Sequence, residues 1–166
     1  MFTADTHFGH GGALGLYRRP FGSVAEMDAA MIARWNGRVA EADEVWHLGD
    51  FAVGRRTDAA ALLARLRGRK HLVTGNNDPA EVAASPGWAS VQAYAELTVD
   101  GVGLVLCHYA FRTWRNMARN ARNLHGHSHG RLPPLRHQHD VGVDSWDFTP
   151  VALADILSRE RRAGRR

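Results

Sequence analysis

The sequence predicts an α/β fold in which two mixed β-sheets pack on each other and helices flank them. In the first half, short apolar runs alternate with helical patterns, and this alternation is typical of strand–helix–strand units. In the second half, extended runs follow one another, and Asp100-Gly101 between two of them is a strong tight-turn signal. No repeat, low-complexity linker or convincing boundary interrupts the chain, so we expect a single domain over residues 1–166.

The elements of the first half are predicted from their periodicity and their end signals. Ser23 is followed three residues later by Glu26, a capping-box pattern that begins a helix, and apolar residues recur behind it at helical spacing. Thr57 is expected to cap a second helix, which Gly68 closes. In order, we expect a strand at 2–4, a helix at 23–38, a strand at 45–48, a helix at 58–67 and a strand at 71–73.

The second half is predicted to be richer in strands. Segments 90–99 and 102–107 form the two arms of the hairpin, and 140–143 is a last short strand. Residues 112–121 are polar and rich in arginine and asparagine, so they form either a weak helix or a mobile lid. A C-terminal helix is expected to begin at Thr149-Pro150, with threonine as N-cap and proline at the first helical position.

The charge balance is basic, with a formal net charge of +4 and a pI of about 10.0. Lys70 is the single lysine among 21 basic residues. Arginine binds phosphate through a planar fork, so the balance favours phosphate-bearing partners, nucleic acid among them. A codon bias toward arginine and alanine gives the same composition. Five of the arginines fall in residues 159–166, which we expect to be a frayed basic tail.

Several classes of protein are excluded at this level. No stretch approaches the roughly 20 apolar residues of a membrane-spanning helix. Residues 1–5 show no basic region followed by an apolar core, so we expect no signal peptide. The single cysteine, Cys107, cannot form an internal disulfide, which fits a cytoplasmic location. The sequence does not report the oligomeric state.

Five short polar motifs stand in one order along the chain, several of them directly after an apolar run. Open α/β sheets place their sites in the loops that follow strands. Carboxylate, imidazole and amide oxygen together suit hard-to-borderline divalent ions and a two-metal hydrolytic centre. The seven candidate ligands are Asp5, His7, Asp50, Asn76, His108, His127 and His129.

The sharpest single motif is the Gly-His-Ser-His sequence at 126–129. Two histidines at i and i+2 point the same way on an extended backbone, and flanking glycines let that backbone approach a charged centre. The other motifs are weak when taken one at a time. A lone histidine such as His108 is more often a core or surface residue than a ligand. The combination and its order are far more specific.

This order of motifs resembles the signature of the calcineurin-like metallophosphoesterase family over residues 5–129. The resemblance implies a four-layer α-β-β-α sandwich that holds two divalent ions. Mn²⁺ is the first expectation, and the ligand chemistry also allows Fe, Ni²⁺, Co²⁺ or Zn²⁺. Segment 140–144 looks like the strand that closes the sheet in small bacterial members. The resemblance assigns one ion to Asp5, His7 and His129, the other to Asn76, His108 and His127, and the bridge between them to Asp50.

The resemblance also implies a function, hydrolysis of a phosphate ester. Small members without cap domains resemble diesterases of nucleotide phosphates, so we expect a phosphodiesterase with a nucleotide-like substrate. Two ions roughly 3.5–4 Å apart can share a water whose lowered pKa supplies the attacking hydroxide. A DNA or RNA nuclease is an alternative that the basic charge favours, although the chain is too short for the additional DNA-binding domain of related repair nucleases. A module that binds phosphate without cleaving it is an alternative from another class.

One position departs from the family pattern, because Asn77 stands where the family has a histidine. In the family that histidine protonates the leaving oxygen or donates to the phosphoryl group, and the following acid, here Asp78, orients it. An amide cannot release a proton, and general-acid catalysis is typically worth about 10²–10⁴-fold. Three interpretations stay open. The position is a deliberate alteration that suits substrate trapping, or another group such as His10 or Asp78 is the acid, or catalysis is lost while binding is retained.

Three arginines recur at helical spacing shortly after His108. If segment 112–121 folds over the metals, they would hold a second phosphate or a nucleotide base. A solvated helix face gives the same spacing. The candidate substrate contacts are Arg112, Arg115 and Arg119.

Overall fold

The first sheet is parallel and contains the strands of the N-terminal half. The computed structural model describes residues 1–53 and 57–163. Within the first sheet the strands hydrogen-bond in sequence order, and helices lie in the crossovers between them. The strands are β1 (Phe2–Thr3), β2 (Glu44–His47), β3 (Arg69–Val73) and β4 (Trp88–Gln92), and the helices are α1 (Ala13–Leu16), α2 (Val24–Arg38), α3 (Ala59–Arg65) and α4 (Ala80–Ala83).

Helix α2 is part of the layer that covers the first sheet. The Ser23 hydroxyl accepts a hydrogen bond from the Glu26 amide at 3.1 Å, which confirms the predicted cap. The Glu26 carboxylate in turn accepts the Gly22 amide at 2.8 Å. The helix buries one face against the sheet through Met27, Met31, Ile32 and Trp35. None of the helices within the described residues is long and apolar enough to cross a bilayer.

The second sheet is mixed. Its strands, in spatial order, are β5 (Ala95–Val99), β6 (Val102–Leu106), β7 (Arg122–His125) and β8 (Gln138–Asp140). β5 and β6 pair antiparallel, whereas β6, β7 and β8 run parallel to one another. Asp100 and Gly101 between β5 and β6 have φ values of 49° and 76°, as a two-residue turn between strands requires. The predicted hairpin is therefore confirmed.

The two sheets pack face to face through an apolar layer that includes the C-terminal helix α5 (Leu153–Ala163). Side chains alternate along β6, so Leu106 faces the other sheet and Val105 faces outward. On the outer face, Trp114 and Ala121 pack against Val105, and the Trp114 indole donates to the Ala121 carbonyl at 2.8 Å. The predicted fold class, two sheets flanked by helices, is confirmed.

Segment 112–121 covers the outer face of the second sheet and is not a lid over the candidate ligands. Its only helical part is a 3₁₀ turn at Met117–Arg119. Asn116 and Asn120 flank that turn with φ of 58° and 64°, and this left-handed backbone ends it on both sides. The side chain that anchors the segment is Trp114, which sequence periodicity alone does not distinguish from a solvent-facing residue.

Two predicted strands are wrong in their extent. Segment 90–99 is shared between β4 and β5, which belong to different sheets. Apolar and polar residues keep alternating across the break, so the sequence pattern did not reveal it. The strand predicted at 140–143 ends earlier, because Gly142 forms only an isolated bridge with Ala4 and the chain then turns.

Helix α5 begins later than the predicted start at Pro150. The reason is that Val151 exchanges two backbone hydrogen bonds of 2.8 Å with Phe2 at the edge of the first sheet, which keeps the chain extended. The helix continues through 159–163, so this part of the predicted tail is helical rather than frayed. Residues 164–166 lie outside the described residues.

A buried hydrogen bond links the loops that follow β1 and β2. The Nε2 atom of His47 lies 3.0 Å from the Thr6 hydroxyl, and that hydroxyl donates to the Phe51 carbonyl at 2.7 Å. Because the hydroxyl proton is already used, Nε2 of His47 carries the proton of the first bond. His47 is fully buried, and burial lowers its pKa to about 3, so the imidazole is neutral in the folded protein at neutral pH.

We expect His47 to make the metal-free protein less stable as the pH falls below 6.5, the ordinary pKa of the unfolded residue. The unfolded chain then binds a proton that the folded chain excludes, which costs up to about 1.4 kcal/mol per pH unit. His47→Gln keeps a donor near the position of Nε2 and cannot titrate. Its unfolding free energy in urea with EDTA should therefore fall less steeply between pH 6.5 and about 4. Identical slopes for the two proteins would contradict this assignment.

Candidate metal centre

The candidate ligands lie in loops that follow the strands of both sheets. In the first sheet, Asp5 follows β1, Asp50 follows β2 and Asn76 follows β3. In the second sheet, His108 follows β6, and the two histidines of segment 126–129 follow β7. Neighbouring strands among these are parallel, so their carboxyl ends meet at one edge. The fold therefore gathers residues that are far apart in sequence.

The ligand atoms form two overlapping groups. One atom each from Asp5, His7 and His129 lie within 4.8 Å of one another, and so do atoms from Asp5, Asp50 and His108. Asp5 is thus common to both groups, whereas the family resemblance places it with one ion only. All of these residues except the half-buried His129 are buried.

Asp50 lies between the two groups with one carboxylate oxygen toward each. Its Oδ2 is 3.5 Å from Nε2 of His7, and its Oδ1 is 3.5 Å from Nε2 of His108. A carboxylate in this orientation can bind one ion through each oxygen. This geometry supports the bridging position that the sequence predicts for Asp50.

The other two candidate ligands complete the His108 side. Oδ1 of Asn76 is 3.0 Å from Nε2 of His108, and the ring of His127 lies 5.1 Å from that of His108. The backbone amide of His127 donates to both carboxylate oxygens of Asp5, at 3.1 and 3.0 Å. All seven candidate ligands thus converge on one place.

Most of these loops hold strained backbone. A non-glycine residue in the left-handed region costs on the order of 1–3 kcal/mol, and such residues cluster at functional sites. Five of the seven candidate ligands have φ between 47° and 65°. They are Asp5, His7, Asp50, His127 and His129. The surrounding contacts must supply the free energy that this strain costs.

Two glycines let the loops approach the carboxylates. A Cβ at Gly75 would lie 2.3 Å from Oδ1 of Asp50, and one at Gly126 would lie 2.7 Å from Oδ2 of Asp5 and 2.6 Å from Cβ of Ala4. Gly126 belongs to the predicted Gly-His-Ser-His motif, so its role as the residue of close approach is as expected.

The histidine rings present their free nitrogens to the centre. His108 donates through Nδ1 to the Leu48 carbonyl at 2.8 Å, which leaves the Nε2 lone pair for an ion. His129 donates through Nδ1 to Oδ2 of Asp144 at 2.7 Å, with the same consequence. Among the described residues, Nε2 of His7 is one of a few buried side-chain polar atoms without a hydrogen-bond partner.

The electrostatics fit divalent cations. Burial raises the pKa of Asp5 well above its usual range, and the nearby Asp140 carboxylate adds to this effect. Burial also lowers the pKa of His7 to about 3, so that imidazole stays neutral and able to bind a metal. A buried carboxylate and an orphaned imidazole nitrogen are both costly in the metal-free protein, and a bound cation would relieve both.

Asn77 holds the central carboxylate from the cleft side. Its side-chain amide donates to Oδ2 of Asp50 at 2.7 Å, and its backbone amide donates to Oδ1 at 2.8 Å. Burial raises the pKa of Asp50, but these hydrogen bonds and His108 outweigh burial, so the net pKa is lowered. Asn77 therefore keeps Asp50 ionised and oriented.

The two predicted substitutes for the missing acid do not line the cleft. The Asp78 carboxylate accepts the backbone amides of Asp50, Phe51 and Gly75 at 2.7 to 2.9 Å, so it fixes two ligand loops to each other. His10 lies behind His7, with 3.3 Å between their Nδ1 atoms. Both residues thus contact ligand residues or ligand loops, and the structure does not bring either of them to the cleft.

A cleft of about 550 Å³ opens over the ligands. The described residues that line it do not include Arg112, Arg115 or Arg119, because their segment packs on the outer face of the second sheet. Arg115 pairs instead with Glu96 at 2.7 Å on the surface. The three arginines are therefore not brought to the site.

Other side chains line the cleft that the sequence did not single out. The Tyr17 ring stacks on His129 with 3.6 Å between ring centroids. The Cζ atom of Arg131 lies 5.9 Å from the centroid of the Tyr17 ring. On the opposite side, Tyr109 packs edge-on against His127 at 4.8 Å and is 45% exposed. Arg131 and Tyr109 directly follow ligand motifs, which is a usable signal; Tyr17 carries none.

Replacing Asp5 with asparagine should change stability in opposite directions with and without metal. Because the pKa of Asp5 is raised in the folded state, its ionisation destabilises the metal-free protein above pH 3.8, and Asp5→Asn removes that cost. Each kcal/mol gained should raise the melting temperature in EDTA by about 2–4 °C. Wild type should gain melting temperature when Mn²⁺ is added, and Asp5→Asn should not. A variant that is less stable than wild type in EDTA would contradict this prediction.

Adding a methyl group at Gly126 should disturb the centre selectively. In Gly126→Ala the new Cβ meets Asp5 and Ala4 within 2.7 Å, so the Asp5 carboxylate must move. We expect Mn²⁺ affinity, measured by calorimetric titration, to fall about 10-fold or more. Gly11→Ala is the matched control, since a Cβ there meets no atom within 4 Å. Equal affinities in the two variants would show that the close approach does not matter.

The chain is similar to known proteins over most of its length. The model of the calcineurin-like phosphoesterase superfamily domain matches residues 1–142. An uncharacterized protein of Methanocaldococcus jannaschii is 26% identical over 93% of this chain and 86% of its own length, and the gene 66 protein of Mycobacterium phage D29 is 29% identical over 90% of each. A protein of unknown function from Aquifex aeolicus shares the fold, with a TM-score of 0.73 at 22% identity over 95% of this chain and 97% of its own. The chain therefore belongs to the calcineurin-like phosphoesterase superfamily and carries candidate ligands for a metal-dependent member.

Proposed function

We propose that this protein is a dinuclear metal-dependent phosphodiesterase. The observation that carries the proposal is the position of Asp50, whose two oxygens each lie 3.5 Å from a histidine of a different ligand group. A site for one ion has no need of such a carboxylate. Asp5, His7 and His129 would hold one ion, and Asn76, His108 and His127 the other. Two bound divalent ions would activate a water and offset charge on the phosphate, and Mn²⁺ suits these nitrogen and oxygen ligands.

The protein's own residues set the geometry for this reaction. The Leu48 carbonyl and the Asp144 carboxylate fix the tautomers of His108 and His129, so neither ring loses its lone pair. Asn77 holds Asp50, and its amide borders the cleft, where it can donate to a phosphoryl oxygen. These groups act by orientation and hydrogen bonding.

The charge of the cleft favours a diester over a monoester. Of the described residues that line it, Arg131 alone is an arginine or lysine. A diester carries one negative charge and a monoester up to two. The proposed ions would bind either ester, and beyond them the protein offers little positive charge for the second negative charge of a monoester. Tyr109 and Leu132 add exposed apolar surface at the rim, which suits an aromatic group such as a nucleotide base.

The leaving group decides how fast such an enzyme works. Asn77 cannot release a proton, and neither His10 nor Asp78 lines the cleft. Esters with acidic leaving groups, such as nitrophenol, depart without a proton donor. We therefore propose that aryl diesters are cleaved faster than alkyl diesters.

Hydrolysis of bis-(p-nitrophenyl) phosphate and of the p-nitrophenyl monoester tests the proposal. We expect diester cleavage that requires Mn²⁺, is lost with EDTA and exceeds monoester cleavage. Comparable cleavage of oligonucleotides would favour a nuclease instead. Tight binding of these compounds without turnover would favour a module that only binds phosphate.

A histidine at position 77 should supply the proton donor that the site lacks. Asn77→His should raise turnover of alkyl diesters with Mn²⁺ by about 10²-fold, and that of aryl diesters far less, because only the former need general-acid help. Asn77→Ala is the matched control: it removes the hydrogen bond to Asp50 and should lower both activities to the same extent. Equal gains on both substrates in Asn77→His would refute the leaving-group argument.

A further inference from the structure

We propose that Arg19 is a positioning residue that assembles one of the two metal subsites, the one formed by Asp5, His7 and His129. Its guanidinium joins the backbone of the first ligand loop to Asp144, the residue that orients His129. The inference rests on the proposed metal centre. Its test measures metal binding, so it can fail or succeed independently of the proposed diesterase activity.

The planar guanidinium of Arg19 binds a carboxylate with one edge and two backbone carbonyls with the other. The Nε and Nη2 atoms donate to the two oxygens of Asp144, each at 2.9 Å. Nη1 donates to the Thr6 carbonyl at 2.8 Å, and Nη2 donates to the Asp5 carbonyl at 2.6 Å. The Arg19 side chain is fully buried, with 0% exposure. A lysine has no fork with which to reproduce this arrangement.

The two carbonyls lie in strained backbone. Asp5 and His7 have φ of 58° and 50°, and the carbonyls that Arg19 binds belong to Asp5 and to Thr6 between them. Charge-assisted hydrogen bonds are roughly twice as strong as neutral ones, so they can hold this loop in a costly conformation. Arg19 thereby fixes the directions of both ligand side chains on this loop.

Asp144, the second partner of Arg19, contacts the third ligand of this subsite, His129. Oδ2 of Asp144 accepts the Nδ1 proton of His129 at 2.7 Å while it is also paired with Arg19. A ligand histidine held by a carboxylate is oriented and made more basic. One guanidinium therefore sets all three ligands of this subsite.

The second subsite is held by different groups. His108 donates to the Leu48 carbonyl, and Asp78 fixes the Asp50 loop through backbone amides. Arg19 contacts none of these residues in the hydrogen bonds of the described chain. Because the proposed assignment gives Asp5 to the first ion only, loss of Arg19 should weaken that ion and spare the other. A residue that served folding alone would not separate the two.

The experiment is a titration of metal-free protein with Mn²⁺, followed by calorimetry and by electron paramagnetic resonance. Wild type should bind two ions per chain. In Arg19→Met, which keeps the length but loses the fork and the charge, one ion should bind about 10- to 100-fold more weakly and the other should be unchanged. Arg19→Lys should behave like Arg19→Met, since the fork and not the charge orients the ligands.

Arg34→Met is the matched control. Arg34 also pairs with an aspartate more than a hundred residues away, Asp147, but it is 38% exposed and touches no candidate ligand. It should bind both ions as wild type does. If Arg19→Met does not fold, as judged by circular dichroism, Asp144→Asn tests the same link with little change of shape and should show the same selective loss. Unchanged binding of both ions in a folded variant, or equal weakening of both, would overturn the proposal.

Discussion

The burial of carboxylates and imidazoles at one shared edge of two sheets is the constraint on which the rest of this structure depends. Asp5 and Asp50 are almost without exposure, and their loops must approach closely enough for both to contact the same histidines. Such groups cost free energy when they are taken out of water. The hydrogen bonds that Asn77 donates to Asp50 and that the His127 amide donates to Asp5 offset part of that cost, and cations would offset more.

The same constraint explains the local chemistry of the loops. Parallel strands deliver their ends to one edge, but a chain that leaves a strand normally continues away from it. Left-handed residues turn the chain back at once, and Gly75 and Gly126 leave space for the carboxylates. Hydrogen bonds stabilise these strained loops: Arg19 donates to a loop carbonyl, and Asp78 accepts loop amides. The buried polar groups around the site therefore contact the same loops that hold the candidate ligands.

The sequence predicted the parts of this arrangement that carry local signals. Ser23 with Glu26 and the Asp100-Gly101 turn are short motifs whose structure is readable without a distant partner. The seven candidate ligands also come from short motifs, and the structure brings these motifs together. The errors arose where the deciding contact is distant. Segment 90–99 alternates evenly across two sheets, and Trp114 turns the arginine segment away from the cleft. Arg19 was missed because its partners, the Asp5 and Thr6 carbonyls and Asp144, lie elsewhere in the sequence.

The crossing from β4 to β5 has a mechanical consequence. Ala93 and Tyr94 alone connect the last strand of one sheet to the first strand of the other. Asp5, His7, Asp50 and Asn76 are mounted on the first sheet, and His108, His127 and His129 on the second. Sliding of one sheet over the other would thus change the distances between candidate ligands within each group. The apolar layer between the sheets, which includes Leu48, Val73 and Leu106, holds the two sheets in a fixed relative position. This packing, remote from the ligands, therefore sets the distances between the two halves of the candidate site.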